Sequence, residues 1–326
     1  MIRIENLVKR FGDKVAVDNI SFTVEEGEIV GFLGPNGAGK TTTMSILTGY
    51  LSSTSGSALI NGIDILEEPI KAKRQIGYLP EQPPLYLEMT VREYLNFIYD
   101  LKECRLNREK HLGEIAETVK IVDVYDRVIR NLSKGYRQRV GIAQALVGNP
   151  KVVIFDEPTV GLDPKQIIEI RNLIKDLGKN HTVILSTHIL PEVKAVCDRI
   201  IIINKGKIVA NEKTENIESL FSGVQRMSIR ICGPTKEILS ALRSINGVTY
   251  AEILTRNEID DSTTFMVETS KGLDLRKAIF NAVASKGWAI IGFETMGADL
   301  EDIFVAVVDE PAEDAGKKKR KKGKGE

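Results

Sequence analysis

Cysteine is scarce in this sequence. Cys104, Cys197 and Cys232 are scattered with no paired spacing, which excludes a disulfide framework and a zinc site of the usual Cys spacing. Buried thiols in a reducing cytosol are the expectation instead. Long apolar runs are missing too. Ile200 to Ile203 and Trp288 to Phe293 have the length of core strands, far short of the ~18 residues that a membrane-crossing helix needs. The start, Met1-Ile-Arg-Ile-Glu, lacks the charged-then-apolar layout of a secretory leader. Nor does either charge dominate: Lys plus Arg and Asp plus Glu number 45 each. A dedicated nucleic-acid binder carries a strong basic excess, so that class is disfavoured.

What is present is an ordinary globular balance, 42% hydrophobic and 28% charged over 326 residues, long enough for two or three packed units. Residues 1 to about 220 alternate strand and helix patterns. Glu28 to Leu33, Val152 to Phe155 and Thr182 to Leu185 are short apolar runs of the fully buried type, which predicts a mostly parallel α/β sheet covered on both faces. Thr90-Val-Arg-Glu93 has capping-box spacing and opens a helix bearing Leu95, Ile98 and Leu101. Phe221-Ser-Gly223 reads as a break.

From Arg226 the texture changes. Met227 to Ile231, Val248 to Leu254, Thr263 to Val267 and Trp288 to Phe293 read as strands, with helices over Thr235 to Ser244 and Leu273 to Ser285. The order βαββαβ predicts a small α+β domain of ferredoxin-like type over residues 226–308. Its last helix carries Leu300, Ile303, Phe304, Val307 and Val308 on one face. Residues 309–326 hold seven basic and five acidic side chains and almost nothing apolar, the composition of a disordered tail. A solvated end is the plainest reading of it, with contact to anionic lipid or to nucleic acid as the two others.

The chemistry concentrates in the first unit. Gly34-Pro35-Asn36-Gly37-Ala38-Gly39-Lys40-Thr41, followed by Thr42, fits G-x-x-x-x-G-K-[ST] between a strand and a helix. Glycines let backbone N–H groups wrap a phosphate chain, and the helix N-terminus adds partial positive charge. Lys40 is placed to neutralise β/γ oxygens and Thr41 to ligate Mg²⁺. The strand Val152 to Phe155 ends in Asp156-Glu157: Asp156 is the second candidate ligand for Mg²⁺, and Glu157 the residue to orient or deprotonate an attacking water. His111 and His181 lie in polar stretches and read as solvated.

Leu132-Ser-Lys-Gly-Tyr-Arg-Gln-Arg139, shortly before the Asp156 strand, resembles the signature of ABC ATPases. The resemblance covers nearly all of residues 1–220 and orders the remaining motifs. It makes Gln82 the glutamine-loop residue, touching both nucleotide and metal, and Gly161-Leu-Asp163 the D-loop. It makes His188 the switch histidine and Phe11 the aromatic that stacks on adenine, a core aromatic being the other reading of Phe11. Ser133 and Gly135, aimed at the γ-phosphate in that family, are present. Lys134 and Tyr136 depart from the commonest signature, which has Gly and Gln there.

The implied architecture is a P-loop ABC ATPase domain with a helical signature subdomain. The implied activity is ATP hydrolysis with ATP and Mg²⁺, driven through a head-to-tail pair with a second copy or a related ATPase. The stretch Ile76 to Glu93 further resembles ATP subunits of bacterial exporters of the drug-resistance, sodium-extrusion and gliding-motility type. That implies a separate integral-membrane permease facing residues 81–101 and a cytoplasmic, membrane-peripheral location. The rival class is a soluble ABC ATPase acting on ribosomes or nucleic acid; such chains usually carry two ATPase domains or a long coiled coil, and neither is seen here.

Overall fold

Three apolar runs, Ile29–Leu33, Val152–Asp156 and Thr182–Thr187, become strands in which every residue is buried. Strands without alternation of this kind belong at the centre of a sheet covered on both sides. The computed structural model of the protein describes residues 1–217, 225–257, 261–270 and 273–296. The final helix expected over Leu300 to Val308, the tail of residues 309–326 and the break at Phe221-Ser-Gly223 lie outside the described residues. So does the boundary expected near residue 220.

In chain order the strands are β1 (Ile2–Phe11), β2 (Lys14–Val24), β3 (Ile29–Leu33), β4 (Ser55–Ile60), β5 (Ile63–Asp64), β6 (Ile76–Leu79), β7 (Val152–Asp156), β8 (Thr182–Thr187), β9 (Arg199–Asn204), β10 (Lys207–Lys213), β11 (Gln225–Cys232), β12 (Val248–Asn257), β13 (Ser262–Thr269) and β14 (Ala289–Met296). The helices are α1 (Lys40–Leu47), α2 (Pro69–Arg74), α3 (Val91–Leu101), α4 (Arg108–Thr118), α5 (Lys134–Leu146), α6 (Pro164–Leu177), α7 (Leu190–Val196), α8 (Thr235–Ser244) and α9 (Arg276–Ala284). The chain divides into two units, one of Met1–Thr214 and one beginning at Glu215.

The first unit contains two sheets. One is antiparallel, ordered β2-β1-β4-β5; the other is six-stranded, ordered β10-β9-β3-β8-β7-β6, and parallel except at β10. They meet over a core in which Phe22 and Phe32 pack 5.6 Å between ring centroids. In the parallel sheet Leu33 pairs with Thr187 and Asp156 with Ser186. The residues that follow, Gly34, Glu157 and His188, therefore leave one sheet edge side by side. Ligands of open α/β sheets bind at such carboxyl ends. Helices α3, α4 and α5 pack on one another. The capping box is made in full: Thr90 Oγ1 accepts from Glu93 N and Thr90 N donates to Glu93 Oε2.

The second unit runs β11-α8-β12-β13-α9-β14 with sheet order β12-β13-β11-β14, every neighbouring pair antiparallel. This is the split βαβ arrangement of the ferredoxin-like type. Met227, Ile229 and Ile231 alternate inward from β11 and pack with Ile238 and Leu242 of α8, Phe265 and Val267 of β13, and Ile279 and Val283 of α9.

Candidate active site

The loop between β3 and α1 is set by glycine. Gly39 has φ 110°, and a Cβ there would stand 2.6 Å from the Ala16 carbonyl oxygen. Gly34 has no such room either, since its Cβ would meet the Ile203 carbonyl oxygen at 2.5 Å. Any other residue would push the loop outward and spoil the ring of N–H groups at the start of α1.

Lys40, the first residue of α1, is 6% exposed. Its Nζ donates to the Gly34 carbonyl at 2.8 Å and to Pro35 at 3.3 Å, and lies 3.5 Å from Glu157 Oε1. The ammonium is thus held over the loop by two carbonyls, partners that the fully charged oxygens of a phosphate would displace. Glu157 takes the left-handed backbone, φ 50°, immediately past β7, and its N–H donates to Ser186 O at 2.8 Å. That unusual conformation turns the carboxylate toward the loop. His188 Nδ1 donates to it, 3.0 Å from each oxygen.

Asp156 is fully buried, and neither carboxylate oxygen has a hydrogen-bond partner of good geometry. Burial pushes its carboxyl above the usual range; the Ser186 hydroxyl opposes this, the Glu157 charge adds to it, and the Thr41 hydroxyl and Lys40 oppose it again. Leaving a buried carboxylate unpaired costs several kcal/mol, which is out of proportion to any packing role. The donor set suits a hard cation: oxygen from Asp156 and Thr41, with room for phosphate oxygens. Among the described residues no group of three or more His, Cys, Asp or Glu is placed to hold a metal by itself. A cation here would need phosphate oxygens to complete its shell, as Mg²⁺ usually does.

Lys40, Thr41, Glu157 and His188 line a cleft of about 580 Å³ that runs from Phe11, Lys14 and Ala16 past the loop to Val160, while the buried Asp156 is not among its lining residues. The volume is that of a small-molecule site. Phe11 is half exposed at its rim, with Lys9 Nζ 5.1 Å from the ring centroid.

The likeness of this chain to known proteins is specific. The profile of the family described as ABC transporter matches residues 17–160. An ABC transporter ATP-binding protein of Bacillus subtilis (strain 168), YxlF, is 33% identical over 309 residues, 94% of this chain and 99% of that protein. The linearmycin resistance ATP-binding protein LnrL of the same organism is 35% identical over 277 residues, covering 83% and 88% of the two chains. Among solved structures, the dimeric, post-hydrolysis ATP-binding cassette MJ0796 bound to ADP and Pi superposes with TM-score 0.60 at 29% identity, covering 66% of this chain and 99% of that one. The chain belongs to the ABC transporter ATP-binding proteins.

As an ABC ATPase it binds ATP and hydrolyses it to ADP and phosphate as the ATP-binding subunit of a transporter. Its cleft brings together Phe11, Pro35, Asn36, Gly37, Gly39, Lys40, Thr41, Thr42, Glu157 and His188. Gly34 and Ala38 support the loop from behind, Gly34 through its carbonyl and Ala38 as a buried residue. Four residues that the resemblance implies do not line it. Gln82 is exposed after β6, and the neighbouring Glu81 lines the cleft in its place. Ser133 is exposed at the N-cap of α5, where it accepts from Tyr136 N, and Gly135 packs under Gln166 in that helix's first turn. Asp163 caps α6 by accepting from Gln166 N at 2.9 Å.

Lys14, Glu81 and Val160 of the ABC ATPase cleft were missed by the sequence reading. The signal for Lys14 was a hairpin: Phe11 and Lys14 are cross-strand partners closing β1 to β2. The two other histidines correct the expectation that they are solvated. His181 is buried, with Nδ1 2.7 Å from Pro150 O, and His111 Nε2 accepts from Gly148 N at 3.0 Å. Burial holds the His111 imidazole below its ordinary range. Both hold the turn between α5 and β7, because a buried backbone polar group needs a partner.

Proposed function

We propose that this ATPase is the motor subunit of an exporter, working as a head-to-tail pair of cassettes under a separate integral-membrane permease at the inner face of the cell membrane. The observation that carries the pairing is that the cleft is half a site. It holds Lys40, Glu157 and His188, while Ser133 and Gly135, in the helix N-terminus suited to a γ-phosphate, stand elsewhere on the same chain. A second copy or a related ATPase supplies that half in trans. The export direction takes its support from LnrL, a relative named for resistance. No helix among the described residues is long and apolar enough to cross a membrane.

In this reading Phe11 stacks on the base at the cleft rim. Lys40 exchanges the Gly34 carbonyl for β/γ-phosphate oxygens. Glu157 orients and deprotonates the attacking water, and His188, through Nδ1, keeps the carboxylate pointed at the γ-phosphate. Thr41 and Asp156 would hold Mg²⁺, with Gln82 joining when the site closes; the cation when bound neutralises charge developing on the transferred phosphoryl group. Loss of that group removes the bridge between the two halves and lets them part. Tyr86 and Leu87, exposed beside the packed rings of Tyr94 and Phe97, offer an apolar contact for the permease.

Fractionation of the source cells tests the assignment. The chain is expected in the cell-membrane fraction and is expected to leave it when its permease is deleted. Co-sedimentation with ribosomes or nucleic acid, and none with membrane, would overturn the transporter reading.

A further inference from the structure

Glu192 sits in the first turn of α7, four residues past His188, with 1% of its surface exposed. A buried carboxylate is costly unless it is well paired; here Arg171 Nη2 forms a long ion pair with Oε1 at 3.6 Å, beyond hydrogen-bond range. Its close partners are hydroxyls. Thr159 Oγ1 donates to it, 2.8 Å from Oε1 and 2.7 Å from Oε2, and Thr187 Oγ1 donates to Oε2 at 3.3 Å. Thr187 Oγ1 in turn accepts from Ile189 N at 3.2 Å.

These partners are not scattered. Thr159 follows Glu157 by two residues, in the turn that runs on to Asp163. Thr187 and Ile189 bracket His188. Both threonines are buried, Thr159 at 4% and Thr187 at 0% exposed. One carboxylate therefore binds the two loops that carry the water-activating acid and its histidine.

We propose that Glu192 is a positioning residue for ATP hydrolysis, a buried clamp that sets the Glu157–His188 pair by holding Thr159 and Thr187 at once. Neither Glu192 nor its partners Thr159 and Thr187 line the cleft. Phosphate binding rests on Lys40 and the glycine loop, so loss of the clamp acts on turnover and leaves binding alone. The proposal rests on the reading of Glu157 and His188 as the hydrolytic pair.

The test compares Glu192→Gln, Thr187→Val, their double variant and Glu157→Gln with the wild type. Glu192→Gln keeps the shape and replaces one acceptor oxygen by a donor; Thr187→Val keeps the volume and removes the hydroxyl. Turnover, ATP affinity by equilibrium titration and unfolding temperature are read for each. Glu192→Gln is expected to lower kcat by roughly tenfold or more, with ATP affinity and unfolding temperature near wild type. Thr187→Val is expected to fall in the same direction by less. The double variant is expected to be no slower than Glu192→Gln, because both act through one clamp.

Wild-type kcat in Glu192→Gln, with Glu157→Gln inactive, would overturn the clamp and leave the hydrolytic pair standing. A joint fall of kcat, affinity and unfolding temperature would make Glu192 a fold residue and overturn the clamp as well. Wild-type turnover in Glu157→Gln would overturn the reading of the pair, and the clamp with it.

Discussion

His188 Nδ1 lies 3.0 Å from both carboxylate oxygens of Glu157. The histidine is 43% exposed at its side chain and the glutamate 8%, so the pair joins the buried sheet edge to the open cleft. A carboxylate centred on one N–H is held in a single orientation. Its left-handed backbone allows little other choice.

Glu157→Gln and His188→Ala should each lower turnover by ~100-fold or more, the scale of a positioned acid–base group, while ATP still binds. Their effects should not multiply, since the histidine works through the carboxylate. Steady-state phosphate release with parallel nucleotide titration checks both points.

Asp156→Asn should abolish the dependence of ATP affinity on Mg²⁺ and spare affinity measured without the ion. The amide is isosteric and neutral, so its loss of a cation ligand is separable from loss of shape. Titration of nucleotide with and without Mg²⁺ gives the comparison.

Acid stability should depend on Glu28 and Arg199. Their bidentate pair, 2.6 and 2.9 Å, ties the start of β3 to β9. Burial alone would raise the Glu28 carboxyl, yet the Arg199 hydrogen bond, the Glu25 backbone contact and the Arg199 charge together hold it below 4.5. A carboxyl lowered on folding contributes stability above its unfolded value that is lost as pH falls through the folded one. Arg199→Met should therefore destabilise the fold at neutral pH and narrow its gap to wild type below pH ~4. Denaturant unfolding from pH 7 to pH 3 measures it.

The parts of the molecule legible in one dimension were those whose partners are near in sequence or whose chemistry forces a spacing. The Gly34–Thr41 loop shows itself because phosphate binding needs glycine at fixed steps, and Thr90 with Glu93 because a capping box is local. The apolar runs at Phe32, Ile154 and Ile184 are uniform because both sheet faces are covered. What escaped depends on distant contacts. His181 is buried against Pro150 O of the turn before the neighbouring strand β7, and Glu192 is a hub only because Thr159, 33 residues earlier, folds beside it. Glu81 rather than Gln82 lines the cleft by one residue of chain direction after β6, which no pattern specifies.

Sedimentation velocity of the Glu157→Gln chain with ATP and Mg²⁺ tests whether two half-sites close over the nucleotide, because slowed hydrolysis preserves the closed state. A stable dimer is expected with ATP, a monomer with ADP, and loss of the dimer when Ser133→Arg blocks the partner's phosphate contact. An ATP-saturated chain that stays monomeric would contradict that closure.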